Sequence, residues 1–352
     1  MSGRAQRNDS GEIANFYGMI ATMTTHAISL LAYPGCMGME IFALCDTLLL
    51  ANRVAQAIEP GSQPLFAVNI ISLAGGQIAA AGGLSIGSAR APRRVRGLLA
   101  VPGMDLGDRG ACLLAQRQLA PEVAYIARAF QRGTPVAAIC VGAFLLGEAG
   151  LLDGRRVTTS WLFAAELAQR FPAARVDPAA LLQDDGGVTT TGSFSAAFDL
   201  ALHLIGVRAS ARVRRAVGRM ALLDHRTSQG PWIDTRLLPA PPASFAASVA
   251  RWLDQRLAEP YDLDTLAAAF HVSSRTLLRR FKEATGHAPL AHLQQARIGK
   301  AKQLLEAGTR SVAQVTEAVG YNDVATFGAL FKRHVGQTPA AYRRRFRTGP
   351  AR

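Results

Sequence analysis

The sequence predicts a chain in two parts. The front is an α/β domain built on a parallel sheet with helices on both faces. The back is an all-α domain with two helix-turn-helix units. Three observations carry this expectation. From His26 to Ile205, short apolar runs alternate with stretches of helical spacing, as strand–helix–strand units require. From Asp262 to Phe346 one design occurs twice, as LDTLAAAFHVSSRTLLRRFKEATG and VAQVTEAVGYNDVATFGALFKRHVG: a short helix, a tight turn, then a helix with bulky residues on one face and polar or basic ones on the other. Between the two parts, Asp224–Ser244 carries Gly230-Pro231, Pro239 and Pro241-Pro242, the clearest boundary in the chain.

The bulk properties agree. A chain of 352 residues, 49% hydrophobic, is long for one core and not short of apolar side chains. The division expected is a disordered tail over 1–25, an α/β domain over 26–207, a linker over 208–244, a helix-turn-helix domain over 245–346 and a tail over 347–352. Translation from Met19 or Met23 would remove much of the first tail. The net charge is +14, and Phe245–Arg352 supplies +9 of it, with 17 Lys+Arg against 8 Asp+Glu. Such a balance favours a polyanionic partner for the back half. Cys36, Cys45, Cys112 and Cys140 show neither a CxxC pair nor metal-type spacing, so no metal or cofactor is expected and a reducing cytoplasm fits. No apolar run reaches the roughly 18 residues of a membrane span, and the first 25 residues lack the pattern of a signal peptide.

In the front half, His26–Tyr33 reads as a buried strand closed by Pro34-Gly35, and Glu40–Val54 as a helix. Further strands are expected at Leu65–Leu73, Ile78–Ala81, Arg96–Val101, Pro135–Cys140 and Val188–Thr191. Helices are expected at Pro121–Gln131, Gly142–Ala149, Trp161–Phe171 and Phe194–Ile205. Ligands of such sheets lie at the carboxyl ends of the strands. In AAICVGAFLLGEAGLLDG, Cys140 stands where a strand turns into a helix, and Gly142 and Ala143 are small enough for a tight elbow. A helix N-terminus favours a thiolate there, whereas free cysteines in general are among the most buried residues. The basic run Arg208–Arg219 is expected as a solvated helix face.

In the back half, a helix from Ser244 or Phe245 runs through Val249, Trp252, Leu253 and Leu257 to Pro260. Leu263, Leu266, Ala267 and Phe270 form the inner stripe of the next helix, and Ser273 caps the one after. There Leu277 and Phe281 face the core, while Arg275, Arg279 and Lys282 fall at i, i+4 and i+7 on another face. Arginine grips guanine bidentately and lysine meets phosphates, so this stripe, with Ser274, Thr276 and Arg280, is the expected contact with double-stranded DNA. A helix over Leu290–Glu306, roughly 26 Å long, would hold two reading heads about one DNA turn apart, roughly 34 Å. Arg297, Lys300 and Lys302 decorate it, and Gly308 stops it. The second unit repeats the plan. Val312, Val315 and Val319 face inward, Phe327 and Phe331 repeat the Leu277/Phe281 spacing, Asn322, Thr326 and Arg333 are groove candidates, and Lys332 meets a phosphate. The arginines of AAYRRRF read equally as backbone contacts or a solvated tail.

Two resemblances add to this reading. Residues 1–207, through LLAYPGCMGMEIFALCDTLLLANR, LLAVPG, AAICVGAFLLGEAGLLDGRRVTTSW and TTTGSFSAAFDLALHLIG, resemble the ThiJ/PfpI family, which has a class I amidotransferase-like, flavodoxin-like fold. The resemblance implies a nucleophilic cysteine at the Cys140 elbow, supported by an acid in the position of Glu40. The histidine that often lies about twenty residues on is Ser160 here, and His203 and His225 do not replace it. Serine cannot serve as a general base near neutral pH. The expectation is therefore a sensor on an enzyme fold, with Cys140 and Glu40 as vestiges and a small-molecule pocket at Glu40, Pro102, Gly103, Cys140, Val141, Ser160, Trp161 and Gly192. A Cys-dependent hydrolase or glyoxalase and a thiol redox sensor are the alternatives.

Residues 245–346, and AVGYNDVATFGALFKRHVGQTPAAYRR above all, are similar to the AraC/XylS family of bacterial transcriptional regulators. The pairing of both halves resembles the GlxA group within it. Ala329 departs from the pattern, standing where many members carry Arg. The resemblance implies a cytoplasmic, nucleoid-associated regulator, a homodimer that binds operator DNA, answers to a small effector and has RNA polymerase as a possible partner.

Overall fold

The computed structural model describes residues 25–105, 118–234, 237 and 244–347. The tail expected before Thr25, with Met19 and Met23, lies outside the described residues, as do Cys112, Pro239, Pro241, Pro242 and residues 348–352. The chain divides into two compact units. The first is Met1–Thr159 with Phe171–Arg175 and Leu182–His225, and the second is Ser160–Arg170 with Val176–Leu181 and Arg226–Arg352.

The strands, in chain order, are β1 (His26–Leu31), β2 (Phe66–Ser72), β3 (Gly76–Ala79), β4 (Ser85–Arg90), β5 (Leu98–Val101), β6 (Val136–Ala138), β7 (Arg156–Val157), β8 (Arg175–Val176), β9 (Leu182–Asp185) and β10 (Val188–Thr191). Eight of them form one sheet in the order β3-β4-β2-β1-β5-β6-β10-β9, and β7 pairs with β8. The pairs β2–β4, β1–β2, β1–β5, β5–β6 and β6–β10 are parallel. β3 and β9 close the two edges antiparallel. Every residue of LLAV in β5 and VAA in β6 is buried, as a sheet covered on both faces demands. β10 is buried throughout although it reads VTTT. Its hydroxyls find partners: Thr190 Oγ1 accepts the Thr158 N–H at 2.8 Å, and Thr191 Oγ1 donates to the Ala138 carbonyl at 3.5 Å. β4, β7, β8 and β9 went unforeseen, because SIGSAR and LQDD contain no apolar run and β7 and β8 are two residues each.

The thirteen described α-helices are α1 (Gly38–Ile58), α2 (Ala120–Gln131), α3 (Ala143–Glu148), α4 (Ala164–Arg170), α5 (Ala196–Arg208), α6 (Ala211–Met220), α7 (Phe245–Asp254), α8 (Leu263–Ala269), α9 (Ser274–Thr285), α10 (Pro289–Ala307), α11 (Val312–Ala318), α12 (Val324–Val335) and α13 (Pro339–Phe346). Among the described residues, α1 is the one helix long and apolar enough to cross a membrane. It instead buries Ile41, Leu44, Leu48 and Ala51 and packs on β2, α5 and α6, as a core helix does. The basic run expected at the head of a linker forms α6. Ser210 caps it, Val213 and Val217 are buried, and it packs on α1 and α5, so these residues group with the first unit.

In the second unit, side-chain caps punctuate the chain where its sequence places them. Ser244, Asp262, Ser273, Ser311, Asp323 and Thr338 each accept a backbone N–H at a helix start. Gly286, Gly308 and Gly336 close α9, α10 and α12 in the left-handed conformation. There are two apolar cores. Val249, Leu253, Leu266, Leu277 and Phe281 build the first, and Val315, Val319, Phe327, Phe331 and Tyr342 the second. α10, at 19 residues about 28 Å long, supplies Leu293 to the first core and Ile298, Ala301 and Leu305 to the second.

Two cations expected on the surface of α10 are interior. Arg297 and Lys302 are each only 7% exposed, while Lys300 is exposed. Arg297 donates from Nε to the Leu257 carbonyl (2.8 Å) and from Nη2 to the Glu259 carbonyl (2.6 Å), and its guanidinium lies 5.1 Å from the centre of the Tyr321 ring. Lys302 donates to the Gly230 carbonyl (3.3 Å) and to the Ile233 carbonyl. Sequence periodicity marks both positions as polar; carbonyls far along the chain are what draw them inward. The turn beside Arg297 has room for nothing larger than glycine. Gly320 has φ +79°, and a Cβ there would stand 2.6 Å from the Leu257 carbonyl oxygen.

Replacing Arg297 with Ala removes its hydrogen bonds to the Leu257 and Glu259 carbonyls and is expected to cost about 1–3 kcal/mol. Lys300→Ala is expected to stay within about 0.5 kcal/mol. Urea melts of the two variants check this, and equal stabilities would refute the clamp.

Candidate functional site

The first candidate site lies at the carboxyl ends of β1, β5 and β6. Register brings them together: Leu30 pairs with Ala100, and Val101 pairs with Ala138. The Ile139 N–H then reaches the Val101 carbonyl at 2.9 Å. Pro102-Gly103 and Cys140 are thereby neighbours. Cys140 has φ +53°, a left-handed conformation unusual for a side-chain-bearing residue, and such strain is held at functional sites more often than elsewhere. Gly142 permits the elbow, since a Cβ there would come within 2.7 Å of the Val101 and Pro102 carbonyl oxygens.

Glu40, in the first turn of α1, is fully buried. Its Oε2 accepts the Gly103 N–H at 2.5 Å. Oε1 is buried without a geometric hydrogen-bond partner, and the Cys140 thiol is the side chain that acts on the carboxyl. Burial pushes the Glu40 carboxyl from 4.5 up to about 8, against the lowering pull of the Gly103 N–H and the thiol. Burial, and next the Glu40 charge, push the Cys140 thiol up to about 12, although N–H groups of Val141 and Phe194 pull the other way. Both groups are therefore mainly protonated near neutral pH. A thiolate, favoured at an ordinary helix start, is not what this site holds.

Of the residues expected around a pocket, Glu40, Pro102, Gly103, Cys140, Val141 and Gly192 are buried residues of the first unit. Ser160 and Trp161 group with the second unit. Ser160 is buried and Trp161 is half-buried at the start of a short 3-10 turn before α4. Three contributors were not foreseen. Tyr33, fully buried, donates to the Pro102 carbonyl at 2.5 Å. Thr159 Oγ1 donates to the Cys140 carbonyl at 2.7 Å. Phe194 offers its backbone N–H to the sulfur. Thr159 sits beside Ser160 in VTTSW, so motif position flagged its neighbourhood. Tyr33 and Phe194 act through a strand end and a backbone group, which leave no residue-type signature. His203 is half-buried in α5, where burial lowers its pKa. Among the described residues no group of three His, Cys, Asp or Glu is placed to hold a metal ion.

The second candidate site is the pair of helices α9 and α12. Each is 12 residues long, each buries its fourth and eighth residues (Leu277 and Phe281, Phe327 and Phe331), and each ends at a left-handed glycine. On α9, Arg275, Arg279, Arg280 and Lys282 are exposed, and Ser274 and Thr276 are half-buried. The Arg279 guanidinium donates to both Glu283 carboxylate oxygens at 3.1 Å. Arg280 leaves the stripe, its guanidinium lying 3.9 Å from the Phe245 ring centre. Ser274 Oγ bonds to Asp264 Oδ1 at 2.5 Å. On α12 and its lead-in, Asn322, Thr326, Lys332 and Arg333 are exposed, as is Ala329. Two helices with the same buried register and exposed basic residues opposite it suit insertion into successive major grooves.

Comparison with known proteins agrees with both halves. Residues 59–206 match the DJ-1/PfpI family and residues 266–345 match a helix-turn-helix domain. The first match includes Cys140 but begins after Glu40, whose part rests on the geometry above. The chain is 28% identical over 317 residues to the HTH-type transcriptional regulator GlxA of Rhizobium meliloti (strain 1021), covering 87% of this chain and 92% of that protein. It is 26% identical over 312 residues to the HTH-type transcriptional regulator GbdR of Pseudomonas aeruginosa (strain UCBPP-PA14), covering 85% and 82%. A solved structure of a ThiJ/PfpI family protein from Pseudomonas syringae superposes with a TM-score of 0.48 at 19% identity, over 82% of this chain and 97% of that one. GlxA and GbdR are both named as transcriptional regulators. The chain is an HTH-type transcriptional regulator in which a DJ-1/PfpI family domain precedes a helix-turn-helix domain of the AraC type.

Proposed function

We propose that a small effector bound at the Glu40–Cys140 cluster controls how α9 and α12 engage operator DNA. The observation that carries the DNA half is the repeated register of these helices, with Arg275, Arg279 and Lys282 exposed on the first and Lys332 and Arg333 on the second. Arg275 and Arg279 meet base edges; Lys282, Lys332 and Arg333 meet phosphates; Asn322 and Thr326 approach the second groove. Ser274, Thr276 and Arg280 flank the first contact. This reading places the protein with the chromosome, in the cytoplasm. It makes a second copy of the chain and RNA polymerase the expected partners at a promoter.

The effector half is supported by the buried Glu40 with an unpartnered oxygen. With Oε2 accepting the Gly103 N–H, the carboxyl proton belongs on Oε1, and a ligand that brings a hydrogen-bond acceptor there would relieve that cost. The domain grouping, with 26–207 as sensor and 245–346 as reader, follows from the same assignment. Catalysis by Cys140 is the weaker alternative, because a thiol pushed up to about 12 is not a ready nucleophile.

For DNA binding, log affinity should fall linearly with log salt as phosphate counterions are released. Arg279→Ala is expected to cost about 1–3 kcal/mol and relax preference at one base position. Fluorescence anisotropy with a selected operator and with random DNA checks both, and equal binding to the two DNAs at moderate salt sinks the reading. For the cluster, the folded state keeps a proton on Glu40 that the unfolded state loses near 4.5. Stability should therefore decline as pH rises from about 4.5 towards about 8, by on the order of a few kcal/mol. Glu40→Gln should flatten that decline, and thermal melts across this range decide it. Site-resolved alkylation of Cys140 should be slow at pH 8 and accelerate at higher pH; rapid labelling at neutral pH would revive a redox or nucleophilic role.

A further inference from the structure

The two reading helices can be superposed residue by residue, because both place their buried aromatic or aliphatic side chains at the fourth and eighth positions. With the registers matched, the outward positions differ in one respect. Thr276 corresponds to Thr326 and Lys282 to Lys332, so a hydroxyl and a cation are kept. Arg275 and Arg279, however, correspond to Ala325 and Ala329. All of Ala325, Thr326, Ala329, Lys332 and Arg333 are exposed. Val324 at the first turn is 46% exposed, which adds an apolar side chain to this face.

Thr326 does not restore the lost polarity. Its hydroxyl and its backbone N–H (2.6 Å) both bond to the capping Asp323, which leaves its methyl as the part free to meet a ligand. The N-terminal two-thirds of the outward face of α12 is therefore methyl groups, and the C-terminal third is the cations Lys332 and Arg333. The cations match a phosphate backbone by charge. Between two backbones in a major groove, the one base feature that apolar side chains recognise is the C5-methyl of thymine.

We propose that the two units read different chemistry: α9 reads guanine through Arg275 and Arg279, and α12 reads thymine methyls through Ala325, Thr326 and Ala329, with Val324 at the rim. Lys332 and Arg333 anchor the flanking phosphates. This rests on the DNA-reading function proposed above and specifies the composition of its second half-site. The guanidinium lost at position 329 is then a change of specificity, not a weakened copy of the first unit.

The test uses the full-length protein and a duplex selected by it from random DNA. Each thymine is replaced in turn by deoxyuridine, which removes the methyl and keeps the pairing. Affinity should fall about threefold to fourfold at one or two positions, the effect of one buried methyl. Those positions should lie in the half-site that Arg279→Ala leaves unaffected. In Ala329→Arg, checked for helicity by circular dichroism, the uracil effect at one position should vanish and the preferred base there should move from thymine to guanine. A fully uracil-substituted duplex that binds as tightly as the original overturns the proposal, as do uracil effects confined to the half-site that depends on Arg279. Failure to select any sequence overturns the DNA-reading function itself, and this inference with it.

Discussion

The guanidinium of Arg297 is the constraint on which the helix-turn-helix unit depends. It is buried, and its hydrogen bonds go to backbone carbonyls. Its donors go to the carbonyls of Leu257 and Glu259, at the end of the segment that follows α7. Its face lies against Tyr321, at the turn of the second reading unit. A charge taken out of water is costly unless its donors find partners, and the carbonyls that serve this one tie the first helix-turn-helix to the second. Gly320 is required at the same point because the chain passes within contact of the Leu257 carbonyl. α10 alone would set only the spacing between the two cores. With Arg297 it also sets their rotation about the helix axis, and rotation decides whether two helices can enter neighbouring grooves.

The reading helices themselves are alike in backbone and different in what they present. Their shared register of buried side chains and their matching caps and stops make them one structural device used twice. Such a device separates fold from specificity. The residues that bury Leu277, Phe281, Phe327 and Phe331 are not free to vary, whereas the outward positions can exchange guanidinium for methyl without touching the core. Positions such as Arg280 show the limit of that freedom, since its cation is committed to the Phe245 ring.

At the other end of the chain, the elbow at Cys140 keeps the backbone of a nucleophile and not its ionisation. The positive φ, the close approach at Gly142 and the N–H groups directed at the sulfur are all in place. Burial outweighs them and leaves thiol and carboxyl protonated together. A buried thiol and carboxyl raised in this way are poorly suited to attack a carbonyl. An enzyme-like fold can in this way serve regulation without new architecture.

The sequence by itself determined the order of strands and helices, the duplicated reading unit and the elbow. Those features are written in local periodicity, in the cap at Ser273 and in the stop at Gly308, all of which act within a turn or two of the chain. It did not reveal β4, β7, β8 and β9, because short or polar strands bury too little to leave a periodic mark. Nor did it show that Arg208–Arg219 would pack as α6 against α1 and α5, or that Tyr33 and the Phe194 N–H would join Glu40 and Cys140. Only the tertiary structure decided which cations are interior. Arg275 and Arg297 look alike in a helical pattern, but only one meets carbonyls some forty residues away. The upward shift of Glu40 and Cys140 has the same origin, since burial depends on what packs around a side chain from distant parts of the chain.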